Sequence, residues 1–242
     1  MSFAKKKFLS FPLAKQHKKA AEELKCVYEN KRPITSYRLI ENWLFLEPVS
    51  NHYEALSNRF HYHLECFSGS LKEHNLLKNL KRFDTLSKAP YGLVDVYLDH
   101  LRSGHNIGSI LRTVEALRLG SVHFSPDMPD SLNKKVQDGS MGTASLVKTH
   151  QTPLNQLKKP LIALETVQGA SSLFDFTFPK SFTLMVGNEE YGLSKQALSS
   201  AQHIIEIPLV GSKNSLNVAC AFAIVAAEIT RQRTAVPARR RD

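Results

Sequence analysis

Cysteine is scarce in this chain: Cys26, Cys66 and Cys220 stand far apart among 242 residues, with no C-x-x-C between them. That spacing excludes a disulfide framework or a thiolate zinc cluster and suits a reducing compartment. No run of eighteen apolar residues occurs, so no helical membrane span is expected. The N-terminus is basic but lacks the apolar segment of a secretory signal. The phosphate-cradling G-x-x-x-x-G-K-[ST] and the dinucleotide signature G-x-G-x-x-G are both missing, which argues against a P-loop enzyme and the usual Rossmann site. No H-x-E pairs with a P-C-x-x-C, which removes a zinc deaminase. The expectation is a cytoplasmic protein that uses no metal and no membrane.

What is present is a large apolar fraction, 42%, enough for one large domain or two small ones, and a net charge of +10. The charge is uneven. Residues 1–90 hold 16 basic against 9 acidic side chains, whereas residues 91–242 hold 16 against 13. A basic excess concentrated in an appended segment is the electrostatic footprint of a polyanionic partner.

Residues 1–90 read as helical. The segment 14–29 is rich in Ala, Lys and Glu. Ser36 is placed to cap a helix with Leu39, Ile40, Trp43 and Leu44 along one face, ended by Pro48. Helical spacing recurs in Leu56, Phe60, His63, Leu64 and Phe67 over 52–67, and again over 71–83. A linker is expected at 84–90. His61 and His63 diverge on a helix, so the H-Y-H triplet does not make a metal site.

From Tyr91 the rhythm changes to alternating strands and helices, which argues for a mostly parallel sheet. Strands are expected near 93–98, 121–124, 144–149, 161–165, 182–186 and 203–208. Helices are expected near 107–118, 130–137, 153–158, 194–201 and 215–233, with Gly120 closing the first. The stretch 182–217 dominates this half. Two apolar runs, Phe182 to Val186 and Ile204 to Leu209, each empty into a polar loop, G-N-E-E-Y-G at 187–192 and G-S-K-N-S at 211–215. An alanine-rich segment follows, apolar on most of its circumference, as a buried helix would be. Strands ending together in such loops form a ligand crevice at one edge of an open α/β sheet.

Three motifs occur in order: N-x-G-x-x-x-R at 106–112, G-N-E-x-x-G-L at 187–193, and I-P-L-x-G-x-x-x-S-L-N-V at 207–218. Together they resemble the SpoU/TrmH family of RNA 2′-O-methyltransferases, over about residues 91–233. The resemblance implies a SPOUT-type α/β trefoil-knot domain at 91–242, preceded by a helical extension at 1–90 that would add RNA affinity. It implies S-adenosyl-L-methionine as cofactor, tRNA or rRNA as partner, and a homodimer. The alternatives are a base-modifying enzyme of the same superfamily and a non-catalytic RNA-binding protein of the same fold.

Residue by residue, the resemblance places cofactor binding on Thr166, Gly187, Ile207, Leu209 and Leu216. Ile207 and Leu209 would flank the adenine, Leu216 would pack opposite, and Gly187 would let backbone approach the ligand. The catalytic set would be Arg112, Asn106, Glu189, Ser215 and Asn217. Arg112 matches the family's catalytic arginine, and register favours Glu189 over Glu190 as the family's glutamate. A guanidinium stays protonated, so Arg112 suits phosphate binding and alkoxide stabilisation better than proton abstraction. The chain departs from the family at Gly104, where proline is frequent before the His-Asn pair.

Overall fold

The structure, a computed structural model, describes residues 5–28, 31–68, 87–126 and 128–233. The chain divides into two units, Met1–Leu77 and Lys78–Asp242.

The first unit is helical: α1 (Lys5–Leu9), α2 (Leu13–Tyr28), α3 (Ile34–Trp43) and α4 (Tyr53–Ser68). Helix α2 buries His17, Ala20, Ala21, Leu24 and Val27, a stripe at three- and four-residue spacing that faces the core. Phe8, Tyr37, Ile40, Leu56, Phe60 and Leu64 complete that core, and Trp43 packs on Phe8 with ring centroids 5.3 Å apart. Two polar networks are built into it. His63, fully buried, meets His17 Nδ1 through its own Nδ1 at 2.8 Å and the Tyr37 hydroxyl through Nε2 at 2.5 Å. Glu41, 1% exposed, accepts from Arg38 at 2.7 Å, Arg59 at 3.2 Å and the Val49 backbone at 2.8 Å.

Three expectations for this unit change. Ser36 does not cap α3: Pro33, with φ −72° and ψ 153°, holds the N-cap position, and the Ser36 hydroxyl turns back to donate to the Pro33 carbonyl. Leu39 is 48% exposed rather than on the buried face. The short helix α1 has no periodicity to announce it and was not expected. The helix expected over 71–83 and the first three residues of the linker at 84–90 lie outside the described residues.

The second unit holds a seven-stranded sheet in the order β3-β2-β1-β6-β4-β7-β5. Its strands are β1 (Val94–Leu98), β2 (Val122–Phe124), β3 (Thr149–Gln151), β4 (Leu161–Leu164), β5 (Ser171–Ser172), β6 (Phe182–Val186) and β7 (His203–Glu206). Every pairing within this sheet is parallel among the described residues. Its helices are α5 (Gly104–Leu117), α6 (Lys134–Ser140), α7 (Lys195–Ser200) and α8 (Val218–Arg233). Alternation along β1 sorts the two faces. Val94, Val96 and Leu98 enter the larger core, with Ile107, Ile110, Leu111 and Val114 of α5 and Phe222, Val225, Ala226 and Ile229 of α8. Tyr97 joins Leu161, Ala163, Met185, Leu193 and Ala197 on the other side. Central β6 is buried at all five residues, the pattern of a parallel strand covered on both faces.

The strand expected at 144–149 is displaced. Thr143–Ser145 form a 3-10 turn, and the pairing strand is the polar Thr149–Gln151. Ala144 and Val147 are buried as core filling, so apolar content there reported burial and not strand. Near 153–158 only a single 3-10 turn, Leu154–Gln156, forms after Pro153. Gly120 does not close α5. Arg118, with φ 51°, is the left-handed cap, and a Cβ on Gly120 would stand 2.4 Å from the Val94 carbonyl oxygen. Close approach to β1 explains that glycine.

Candidate active site

Strands β4, β6 and β7 end side by side, and the loops that leave them enclose a cleft of about 720 Å³. This is the carboxyl edge of a parallel sheet, where open α/β folds bind ligands. Thr166, Gly187, Ile207, Leu209 and Leu216 all line it, as do Glu189, Ser215 and Asn217.

The loop after β6 is held by its own backbone and by two carboxylates from neighbouring strands. Asn188 and Gly192 exchange backbone hydrogen bonds of 2.9 and 3.0 Å, and Gly192 takes φ +73°, a conformation that favours glycine. The tightness explains Gly187 as well: a Cβ there would lie 2.2 Å from the Gly192 carbonyl carbon and the Leu193 nitrogen. Its missing side chain makes room for the loop's own return, not in the first place for a ligand. Glu165, just past β4, accepts from the Leu193 N–H at 2.8 Å and the Thr166 N–H at 3.1 Å. Asp99, just past β1 and 1% exposed, accepts from the Ser194 N–H at 2.7 Å. Ser194 then caps α7 by accepting from the Ala197 N–H.

Within that frame one hydrogen-bonded relay joins the three motifs. Glu189 accepts from the Arg102 N–H at 3.1 Å, the Ser103 N–H at 3.1 Å and the Asn106 amide at 2.9 Å. The Asn106 side-chain carbonyl accepts from the Asn217 amide at 3.1 Å. Asn217 in turn accepts from the Ala219 and Cys220 N–H groups that open α8. Ser103 begins α5 by accepting from the Asn106 N–H. Burial pushes the Glu189 carboxyl up, but hydrogen bonds from the Asn106 side chain and from the backbone of Arg102, Glu189 and Ser103 outweigh it. The net shift is downward, so Glu189 is an ionised acceptor at neutral pH and a weak proton acceptor for catalysis.

Arg112 lies elsewhere. It sits on the exposed face of α5 with His105, Ser109 and Ala116, outside the cleft lining. Ser215 lines the cleft and is exposed. Asp99, Glu165 and Asn188 were not foreseen. Their signal is position: polar side chains directly after parallel strands that converge on one edge.

The cleft sets an apolar wall beside a net acidic lining. Ile207, Leu209, Leu216, Val186 and Ala221 supply apolar wall, and the lining carries Glu165, Glu189 and Glu190 against Lys213. Among the described residues no group of His, Cys, Asp or Glu side chains is arranged to hold a metal ion, and no helix is long and apolar enough to cross a membrane.

A parallel α/β sheet with a cleft at its carboxyl edge, joined by Asn106, Glu189 and Asn217, defines the class; comparison with known proteins gives the family. Residues 94–227 match the model of the SpoU rRNA methylase family, and the chain belongs to it. It is 28% identical over 174 residues to the 23S rRNA (guanosine-2′-O-)-methyltransferase RlmB of Neisseria meningitidis, an alignment covering 69% of this chain and 68% of that one. It is 29% identical over 146 residues to the tRNA (guanosine(18)-2′-O)-methyltransferase of Escherichia coli K12, covering 57% of this chain and 63% of that one. In structure it is similar to the SpoU methyltransferase AviRb of Streptomyces viridochromogenes in complex with AdoMet. The TM-score is 0.55 at 26% identity, covering 61% of this chain and 60% of that one. The chain thus spans some two thirds or less of these relatives' own lengths.

Proposed function

We propose that this protein transfers a methyl group from S-adenosyl-L-methionine to a ribose 2′-hydroxyl of structured RNA, a tRNA or an rRNA, in the cytoplasm. The observation that carries this reading is the relay Glu189–Asn106–Asn217, which ties the three motif loops together beside one cleft. The names of the relatives support it, since both act at a 2′-oxygen.

S-adenosylmethionine, when bound, supplies a methyl group already activated by its sulfonium. Ile207, Leu209 and Leu216 would hold its adenine, with Thr166 and the loop from Gly187 forming further wall. Glu189 stays ionised and holds Asn106 in place, while Asn217 and Ser215 orient the ribose. Arg112, outside the cleft of its own chain, would act in an assembly that brings the exposed face of α5 to a cleft, binding the adjacent phosphate and stabilising the alkoxide that develops as the 2′-hydroxyl gives up its proton to solvent. Products are the 2′-O-methylated nucleotide, S-adenosylhomocysteine and a proton.

A homodimer fits the outer faces of α5 and α8. These two helices pack together, and α8 exposes Cys220, Ile224, Ala227 and Arg231 in a stripe parallel in spacing to His105, Ser109, Arg112 and Ala116 of α5. Arg112 lies on this face, so the dimer is the state in which its role must be tested. Light scattering at micromolar protein should give twice the chain mass. The extension at 1–90 adds RNA affinity through phosphates. Replacing Lys5, Lys15 and Lys18 with Gln should flatten the salt dependence of RNA binding and leave cofactor affinity unchanged.

The function itself is tested by calorimetry with S-adenosylmethionine and by mass spectrometry of RNA methylated by the pure protein. A methyl group on the ribose is expected. A methyl group on a base, or cofactor-independent RNA binding alone, would overturn the reading in favour of the corresponding alternative.

A further inference from the structure

Glu190 and Tyr191 follow Glu189 in the loop after β6, and their surroundings differ from the rest of the cleft. Tyr191 lines the cleft yet is 53% exposed, so its ring fills no core. The turn that carries it is closed at both ends by the Asn188 and Gly192 backbone exchange, and the Glu190 N–H donates to the Asn188 side chain at 2.9 Å. The ring is therefore displayed from a fixed backbone. Arg102 stands beside it, with its guanidinium carbon 5.8 Å from the ring centroid. The Arg102 guanidinium also donates to Glu190 at 2.7 Å, and the two side chains are 67% and 74% exposed.

Arg102 is thus fixed at one end and replaceable at the other. Its backbone N–H is committed to the Glu189 carboxylate. Among the described residues its side chain is engaged only in a solvent-exposed ion pair and a cation–π contact. Such a pair contributes little net free energy, because water screens it and two long side chains must be ordered to make it. A phosphate offers the same guanidinium a forked, charge-assisted contact. An exposed aromatic ring beside an arginine is the combination on which unpaired bases stack.

We propose that Arg102, Glu190 and Tyr191 form an RNA-reading rim of the cleft. Tyr191 stacks on an unpaired nucleobase next to the target ribose, and Arg102 takes a neighbouring phosphate. Glu190 occupies Arg102 in the free protein and is displaced when that phosphate arrives. The proposal rests on the methyl-transfer reading and adds a substrate feature to it: the nucleotide is taken from a loop, a bulge or a flipped-out position, since a base inside a duplex shows no face to Tyr191. Glu190 also becomes a selectivity device. An anion must outbid it, which disfavours ligands without a phosphate at that place.

The test is fluorescence-anisotropy binding of the full-length protein to unfractionated tRNA and to a fully paired RNA duplex, across a salt series, with S-adenosylmethionine titrated into each variant by calorimetry. Tyr191→Ala should weaken tRNA binding about tenfold, Tyr191→Phe should retain most of it, and the duplex should lose little from either. Arg102→Ala should lower the log–log salt slope by roughly one. Glu190→Gln should move the other way, tightening tRNA binding several-fold with a steeper slope, a sign that a merely structural role would not give. An unchanged or weakened affinity in Glu190→Gln overturns the displacement. Loss of cofactor affinity in Tyr191→Ala with tRNA binding intact places the ring on the cofactor and overturns the stacking. If the wild-type protein fails to bind S-adenosylmethionine, the methyl-transfer reading falls and this one with it; a failed rim leaves wild-type cofactor binding standing.

Discussion

The two units use polar side chains in opposite ways. In the helical unit, the ionisable groups His17, His63 and Glu41 are buried and satisfied by one another or by partly covered arginines. In the sheet unit, the core is mainly apolar with a few buried hydroxyls, Ser140, Thr143 and Thr183, each donating to a backbone carbonyl, and Asp99, Glu165, Glu189, Asn106 and Asn217 gather at the carboxyl edge, largely bonded to backbone N–H groups or to each other. The first arrangement fixes a small helical core that has limited apolar surface to bury. The second leaves the core alone and fixes loops. Damage to the first should therefore appear as instability, and damage to the second as lost binding or turnover. The single tryptophan, Trp43, belongs to the helical unit and reports its unfolding separately.

The largest effect should follow Gly187→Val. A side chain there meets the loop's own backbone at 2.2 Å, so the loop must open and the cleft wall is lost. S-adenosylmethionine binding should fall below detection by calorimetry, while the urea midpoint of Trp43 fluorescence stays where it was. A shifted Trp43 midpoint would break the separation of the two units.

Glu41→Gln tests the other side. It leaves Arg38 and Arg59 against a neutral amide in a buried position. Removing one member of a buried ion network costs about 3 kcal/mol, with Arg38 partly hydrated and so at the low end. The unfolding free energy read by Trp43 in urea should drop by that amount, and cofactor affinity should not change.

Arg112→Ala should leave cofactor affinity nearly intact and slow single-turnover methylation roughly a hundredfold, the size of losing one donor to a developing oxyanion. Arg112→Lys should rescue little, because an ammonium lacks the planar fork. Full turnover in Arg112→Ala would return Arg112 to an ordinary surface residue of α5.

The same contrast governs how much the sequence discloses. The cleft was legible because strand, loop and glycine occur in a fixed order there, and Ile207, Leu209, Leu216 and Asn217 do line it. The supports were not, since Glu165 and Asp99 act through backbone N–H groups of residues distant in sequence. Strand β5 is two serines that pair with β7 and carry no apolar pattern. In the helical unit, the spacing of Leu56, Phe60 and His63 gave the buried face of α4, but nothing in one sequence says that His63 would find His17 and Tyr37. Long-range polar pairing leaves no local period.

The smallest effect is also the most specific to the helical unit. Burial, with His17 and Arg59 nearby, pushes His63 down to about 3, and burial lowers His17 as well. The rings can share one proton across their 2.8 Å contact while both stay neutral; protonating both would set N–H against N–H. In the unfolded chain a histidine titrates near 6.5. Between about 6.5 and 3 the unfolded state therefore binds a proton at His63 that the folded state refuses, and stability rises with pH across that window. The contribution is complete above pH 6.5 and is lost as the pH falls, by up to about 1.4 kcal/mol for each unit. Moving from pH 7 to pH 5 should lower the stability read by Trp43 by about 2 kcal/mol. In His63→Gln, which cannot titrate, the protein should be less stable at pH 7 but show a flatter dependence between pH 7 and pH 5. An equal slope in wild type and His63→Gln would assign the acid sensitivity to other groups and leave the buried histidine pair a purely geometric contact.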